Sequence, residues 1–413
     1  MSRNDTCVSR RAFVAGTSAA LIGAGSLNRA FAALPSLKVG VIHPTSGFLA
    51  KIGQTCNRGA LVAPPLLESW GYPRLDIVYG DTESSPDTAR AAGNRLIDAG
   101  AQILVGAFDS GQTTTLAQVA EQRGIPLVID IAAAPQITEQ GYKYVFRNWP
   151  LPRDSISGAL DVHKQIFQVS GKTPKTAVFL YRNDTFGTAI KKAFDALVPK
   201  AGMPYEIVKF IGYDPQARDM SVEVSNAKGT GADIAIVVSA TNDAITLTRE
   251  MVKQRWLPWG VLSAGPGWYD QSYRTALGKF GNYAISTVPW YDPTKPRTKT
   301  ILAALARKFP DDSVDPISIS TAEALLIVAD AYKRAGSSSP QALADALRAT
   351  KIAAAESLTL GNPNGIFFDA HGQVNDIPVA GVQNLGELAK VVLPVGSAEA
   401  KLVFPQPAWR GRA

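Results

Sequence analysis

Residues 102–131 read QILVGAFDSGQTTTLAQVAEQRGIPLVIDI, and this alternation of elements decides the fold. A short apolar strand is predicted at Gln102 to Val105, an amphipathic helix at Thr113 to Arg123, and a second apolar strand at Pro126 to Ile131. Because both strands are nearly all apolar, we expect them to be buried on both faces of a parallel sheet that helices cover. The stretch therefore predicts an α/β fold.

The same alternation runs through the rest of the chain, with an interruption at Asn148 to Pro152, where prolines break any regular element. Before this loop, strands are predicted at Leu37 to Ile42 and Leu75 to Tyr79, and helices at Asn57 to Trp70 and Pro86 to Ala99. After it, strands are predicted at Thr176 to Leu180, Tyr205 to Phe210, Asp233 to Val238, Trp259 to Leu262 and Tyr283 to Val288. Two successive sets of strands and helices predict two lobes.

Late helices predict how the two lobes are connected. Ile317 to Ala335 and Gln341 to Thr350 have no new sheet to cover, so we expect them to pack back on the first lobe. The chain would then cross between lobes near Trp149, Trp290 and Leu360. The predicted division is an N-terminal lobe of residues 36–148 and 289–357, a C-terminal lobe of residues 149–288 and 358–404, and a tail of residues 405–413. Repeated crossings predict a hinge, and a hinge predicts a cleft.

The N-terminal residues resemble a twin-arginine export signal. Ser9-Arg10-Arg11-Ala12-Phe13 is followed by an uncharged run to Leu27 and by the small-x-small sequence Ala30-Phe31-Ala32. The run is shorter than the roughly 20 residues that a membrane-spanning helix needs. We therefore expect residues 1–32 to be a cleaved signal peptide and the mature protein to be periplasmic, without a membrane span.

Composition and motifs argue against several classes of protein. The formal net charge of +7 comes from scattered Lys and Arg residues, whereas nucleic-acid binding requires a clustered basic surface. No phosphate-binding loop and no Gly-x-Ser-x-Gly elbow is present. The histidines, His43, His163 and His371, lie far apart in the sequence and lack metal-ligand spacing. We predict no catalytic residues, no metal, no cofactor and no nucleic-acid partner, and we expect a monomer.

The loops after the strands are the expected place for a ligand, because open parallel sheets bind ligands beyond the carboxyl ends of their strands. Residues 106–115 leave a strand and begin a helix, which suits a carboxylate held by hydroxyl and N–H groups at the positive helix end. Ser110 could instead serve only as the helix cap. The sequence leaves these alternatives open.

Several segments resemble the leucine/isoleucine/valine-type (branched-chain amino acid) periplasmic substrate-binding proteins of ABC transporters. They are Lys38-Val-Gly-Val-Ile-His-Pro-Thr-Ser-Gly47, Leu104-Val-Gly-Ala-Phe-Asp-Ser110, Gly124-Ile-Pro-Leu-Val128, and Gly365-Ile-Phe-Phe-Asp369. The resemblance covers essentially the whole mature chain. It implies a two-lobe type I fold, in which each lobe is a mostly parallel sheet flanked by helices and three strands form the hinge. It also implies delivery of a small ligand to membrane permeases.

The resemblance also implies which residues bind the ligand. A carboxylate would be held by Ser110 and by the backbone of Ala132, Ala133 and Ala134, where the hydroxyl usual in the family is missing. Ile52 and Phe186 would pack on the ligand's side chain, and Thr241 and Gly265 would face it from the second lobe.

The identity of the ligand remains open. The family's acidic partner for an amino group is expected near Gly265, but no acid stands there. Asp109 and Asp243 are the replacements that we consider, and Asp109 would repel a carboxylate unless an ammonium group lay between them. We rank a branched-chain or other apolar amino acid first, and an aromatic or aliphatic carboxylic acid or amide second. Other roles considered are a ligand-sensing module of a receptor and an enzyme such as an amidase.

Overall fold

The computed structural model describes residues 34–359, 364–374 and 377–412. The predicted signal peptide lies outside these ranges. Within them, no helix combines the length and the apolar character that crossing a membrane requires.

Two sheets organise the described chain. The strands, numbered along the chain, are β1 (Leu37–His43), β2 (Leu75–Asp81), β3 (Ile103–Gly106), β4 (Leu127–Ile129), β5 (Val145–Arg147), β6 (Thr176–Arg182), β7 (Glu206–Tyr213), β8 (Ile234–Val238), β9 (Val261–Ser263), β10 (Ile285–Pro289), β11 (Val379–Leu385) and β12 (Leu388–Leu393). The first sheet has the order β2-β1-β3-β4-β5 and the second has the order β12-β11-β10-β9-β8-β6-β7. All pairs are parallel except β10 with β11 and β11 with β12. The predicted fold class is confirmed.

Helices cover both sheets. They are α1 (Ala50–Ser69), α2 (Pro86–Asp98), α3 (Ser110–Arg123), α4 (Pro152–Ser170), α5 (Thr185–Leu197), α6 (Ser221–Gly229), α7 (Thr241–Lys253), α8 (Gln271–Leu277), α9 (Pro296–Lys308), α10 (Pro316–Ala335) and α11 (Pro340–Arg348). The helix predicted from Asn57 begins at Ala50, and β5, β11 and β12 were not predicted.

Each sheet buries both of its faces because successive strand residues point to opposite sides. In β1, Val41 belongs to the core that contains Leu326 of α10, whereas Ile42 belongs to the core that contains Leu116 of α3. The second sheet follows the same rule: neighbouring residues of β6 enter two different cores. These apolar strands therefore fix two layered lobes with their carboxyl ends turned toward each other.

The last crossing between the lobes differs from the predicted one. Ile366, Phe368 and Val374 lie in the core of the first lobe, and Ile366 forms a β-bridge with Ile352. Ile377 also packs against that core, and β11 of the second lobe begins at Val379, so the crossing lies later in the chain than the predicted position near Leu360. Residues 358–359 and 364–374 belong structurally with the first lobe because Leu358, Ile366, Phe368 and Val374 fill its core.

Candidate ligand-binding cleft

A cavity lies between the lobes at the carboxyl ends of their strands, with an empty volume of about 740 Å³ that includes its opening. Aromatic side chains form much of its wall, namely Phe108, Trp149, Phe186 and Tyr269. Apolar groups predominate, with a few polar groups among them, which is the usual composition of a small-molecule site.

The structure brings most of the predicted site residues to this cavity. Asp109, Ser110, Ala132, Ala133, Phe186 and Gly265 line it. Ala134 lies directly behind Ser110, and Ile52 and Thr241 lie beside the cavity, in a separate small pocket between the lobes.

Asp109, rather than Ser110, caps helix α3. Its carboxylate Oδ1 accepts hydrogen bonds from the N–H groups of Gly111 (2.9 Å) and Gln112 (3.1 Å). The interpretation of Ser110 as the cap is therefore wrong. The Ser110 Oγ instead accepts a hydrogen bond from the N–H of Ala134 at 3.2 Å. Since that bond uses a lone pair, the hydroxyl hydrogen of Ser110 can still be donated into the cavity.

The loop after β4 presents backbone donors beside Ser110. The carbonyls of Ala132 and Ala134 accept hydrogen bonds from Nη1 of the buried Arg147, at 3.3 and 2.8 Å. In a trans peptide the N–H points opposite to the C=O, so the N–H of Ala133 points away from Arg147. Within the described ranges, neither Ala132 nor Ala133 donates its N–H to another protein group. Arg147 thus holds the loop with free donors at the cavity wall.

Ile52 and Thr241 contribute to the junction of the lobes. Ile52 is buried in an apolar cluster with Phe108, Ile131 and Ala240, of which Ala240 comes from the second lobe. The Thr241 hydroxyl is buried and has no hydrogen-bond partner in the described part of the chain. Ile52 therefore packs behind the cavity residue Phe108 and does not line the cavity itself.

Gly265 approaches the neighbouring loop too closely to carry a side chain. A Cβ at this position would lie 2.7 Å from the carbonyl oxygen of Ser239 and 2.9 Å from its nitrogen. The acid that the family resemblance leads one to expect here would therefore collide with backbone. The packing of the two loops explains why glycine stands in its place.

Arg182, at the end of β6, is a cavity residue that the sequence analysis missed. Its Nε donates to Asp184 Oδ2 at 2.5 Å, and its Nη1 lies 3.7 Å from Asp243 Oδ1. Burial opposes its positive charge, but Asp243 and Asp184 outweigh that effect and hold the pKa of Arg182 above its ordinary range. The sequence did offer one signal for a cleft residue here: a single arginine ends an apolar strand and is followed by Asn-Asp.

The two acids considered for a ligand amine occupy different environments. Asp109 lines the cavity, and burial raises its pKa while Arg182, across the cleft, partly offsets the rise. Asp243 lies beneath the surface, where its Oδ2 accepts from the Tyr213 hydroxyl (2.9 Å) and from the N–H of Ala240 (3.2 Å). Burial raises the pKa of Asp243 to about 6, against the lowering effects of Arg182 and Tyr213. Asp109 is the acid that a ligand can reach.

His43, Cys56 and Asp130 meet under the floor of the cleft, although the sequence gave no metal-ligand spacing. Their possible ligand atoms lie within 4.8 Å of one another. Both ring nitrogens of His43 already have partners: Asn57 Oδ1 and Asp130 Oδ2, each at 2.8 Å. This arrangement ties the ends of β1 and β4 to helix α1 by hydrogen bonds.

A lined cavity enclosed by two α/β lobes defines a protein that binds a small ligand between them. The family model described as periplasmic binding protein matches residues 36–387, so the chain belongs to that family. Its curated relatives include Leu/Ile/Val-binding protein homolog 7 of Brucella suis biovar 1, which is 24% identical over 403 residues, covering 94% of this chain and 98% of the relative. The resemblance drawn from the sequence is confirmed.

Solved structures support the same fold. The branched-chain amino acid substrate-binding protein LivJ of Streptococcus pneumoniae, in complex with isoleucine, has a TM-score of 0.73 at 18% identity, covering 90% of this chain and 100% of that one. A solute-binding protein of R. palustris, in complex with benzoate, also has a TM-score of 0.73 at 18% identity, covering 91% of this chain and 99% of that one. At this identity the likeness concerns the fold.

Proposed function

We propose that this chain is the periplasmic solute-binding component of an ABC importer and that it binds a small apolar amino acid of the branched-chain type. The group of donors on one wall of the cavity carries the proposal. The Ser110 hydroxyl and the N–H groups of Ala132 and Ala133 stand together beside the N-terminus of α3. Such donors suit a carboxylate, because charge-assisted hydrogen bonds are strong in a cleft that excludes water.

The charges around the cavity favour a ligand that also carries an amine. Arg182 interacts with the carboxylates of Asp184, Asp243 and Asp109, so acids outnumber the one guanidinium of this cluster. A carboxylate ligand alone would add a further negative charge, whereas a zwitterion brings an ammonium group that Asp109 can reach. Phe186, Ile156 and Val288 offer apolar surface for the side chain.

An aromatic carboxylate is the second candidate, and the aromatic wall of the cavity favours it. Trp149, Phe186 and Tyr269 could pack on a ring. Among the structural relatives, one binds isoleucine, another leucine, and others benzoate or 4-hydroxybenzoate. Both ligand classes therefore occur on this fold.

Calorimetry with leucine, isocaproate (leucine without its amino group) and benzoate tests the assignment. We expect leucine to bind more tightly than isocaproate, because only leucine satisfies Asp109. Equal or tighter binding of isocaproate would contradict the amino-acid assignment, and tighter binding of benzoate would favour the second candidate. Recovery of the ligand unchanged after incubation would separate binding from the amidase alternative.

Export and delivery complete the proposed role. Replacing Arg10 and Arg11 together by lysine should strongly reduce the amount of protein in the periplasm, because the twin-arginine pair is the export signal. Normal secretion of this variant would contradict that interpretation. Ligand-dependent uptake in vesicles that contain the cognate permeases would distinguish an importer component from a receptor's sensing module.

A further inference from the structure

The lobes touch through polar groups outside the ligand cavity. At the start of α8 in the second lobe, the Gln271 side-chain amide donates from Nε2 to the carbonyl of Asp311 at 2.8 Å. Its Oε1 accepts a hydrogen bond from the N–H of Ser313. One side chain thus pairs, as both donor and acceptor, with the backbone of residues 311–313 in the first lobe.

Both sides of this contact have further partners, one of which is a second bond across the junction. On the first lobe, Arg58 of α1 forms an ion pair with Asp312 at 2.9 Å. On the second lobe, Arg274 donates to the carbonyl of Tyr269, a cavity residue, and also reaches the Ser313 hydroxyl at 2.9 Å. The contact is therefore joined through Tyr269 to the wall of the ligand cavity.

A second polar contact stands elsewhere along the junction. Asn242, at the start of α7, donates from Nδ2 to the carbonyl of Phe48 at 2.8 Å. It lies next to the apolar junction in which Ala240 of the second lobe packs against Leu49 and Ile52 of the first. Each contact joins residues of opposite lobes, so opening the cleft about the hinge breaks it.

We propose that Gln271 and Asn242 form a closure latch, which sets ligand affinity by stabilising the closed arrangement of the lobes without touching the ligand. The inference rests on the proposed function, because it concerns how that binding is tuned. When only the closed form holds the ligand fully, the apparent Kd is the intrinsic Kd divided by the closed fraction. Contacts that raise the closed fraction therefore tighten binding from a distance.

The matched pair Gln271→Ala and Gln254→Ala tests the latch. Gln254 is half-buried like Gln271, and its side chain likewise makes two hydrogen bonds. Its Nε2 donates to Ser221 O and to Glu250 Oε1, at 2.8 Å each, and both acceptors belong to the second lobe. Losing two hydrogen bonds across the junction should raise the Kd for leucine about tenfold in Gln271→Ala, mainly through faster dissociation. Gln254→Ala should keep the wild-type Kd. Asn242→Ala, which loses one bond, should raise the Kd about threefold.

A second measurement needs no ligand. Spin labels at Asp76 on the first lobe and Lys200 on the second, both exposed, report the distance between lobes, while the native Cys56 is buried and should not react. We expect a smaller closed fraction in Gln271→Ala and Asn242→Ala than in Gln254→Ala. An unchanged closed fraction together with an unchanged Kd would overturn the latch. If the wild type binds none of the tested ligands, the proposed function fails, and the closed fraction of the unliganded protein still decides the latch.

Discussion

Asp109→Asn separates the two functions that the Asp109 carboxylate has in the structure. Asparagine has the same shape and keeps an oxygen that can accept from Gly111 and Gln112, now at 2.9 and 3.1 Å. The cap of α3 should therefore survive. The substitution removes the negative charge of Asp109 from the cavity wall. Burial raises the pKa of this carboxyl group in the wild type. The melting temperature of the unliganded variant should be close to that of the wild type.

The effect on binding should depend on whether the ligand has an amine. Opposite charges about 4 Å apart interact by about 4 kcal/mol at the effective dielectric typical of such sites. Arg182 already compensates part of the charge of Asp109, and the amine loses water when it binds. We therefore expect the binding free energy of leucine to become less favourable by about 1.5 to 3 kcal/mol, which corresponds to a Kd roughly 10- to 150-fold higher. Isocaproate should bind equally well or more tightly, because its carboxylate no longer faces a like charge.

Titration calorimetry of both proteins with both ligands, at one pH and salt concentration, measures the coupling between Asp109 and the amine as a double-mutant cycle. Thermal unfolding without ligand provides the control for the helix cap. Equal losses of affinity for leucine and isocaproate would refute the reasoning, since they would mean that Asp109 does not contact the amine. Loss of stability without loss of selectivity would identify Asp109 as a cap only.

Two further substitutions test neighbouring parts of the structure. Ser110→Ala should weaken leucine binding by about 1 to 3 kcal/mol, because the carboxylate loses a donor. It should also destabilise the unliganded protein by about 1 kcal/mol, because the buried N–H of Ala134 loses its acceptor. Calorimetry measures the first effect and thermal unfolding the second, and unchanged affinity would show that Ser110 does not bind the ligand. Burial, followed by the charge of Asp270, raises the pKa of Asp315 to about 7. Since this value lies above the ordinary one, the wild type should lose stability as the pH rises from about 4 through about 7, and Asp315→Asn should be more stable by up to about 4 kcal/mol above that range. Chemical unfolding of both proteins across this range checks it, and a stability difference independent of pH would contradict it.

The sequence predicted most of the parallel strands because they are continuous apolar runs that only burial on both faces explains, but it did not predict the antiparallel strands β11 and β12. It missed β5, Val145–Arg147, because three residues show no periodicity and their strand character comes from pairing with β4. It placed the last crossing too early because residues 364–374 carry no long apolar run, although Phe368 and Val374 fill the first core. Tertiary packing determined these boundaries.

The candidate site was predicted less completely, since capping and binding use the same residue types at the same place. Asp109 and Ser110 are both good caps, and only the geometry assigns that role to Asp109. Ile52 was placed in the site by resemblance, yet the earlier start of α1 puts it behind Phe108. Arg182 was missed because its place at the end of an apolar strand, although a signal, does not tell which loop of the other lobe its side chain faces.

Arg182 and Asp109 together indicate how closure depends on the ligand. They belong to opposite lobes, and in this structure they form one electrostatic cluster with Asp184 and Asp243. Closing an empty cleft would remove water from the carboxylates of Asp109 and Asp184 against the single guanidinium of Arg182, which is unfavourable in a medium of low dielectric. Under the proposed function, a zwitterionic ligand would supply an ammonium group to Asp109 and give its own carboxylate to the donors around Ser110. The electrostatic cost of closure therefore favours the open form of the empty protein. Under the proposed function, the bound ligand offsets that cost.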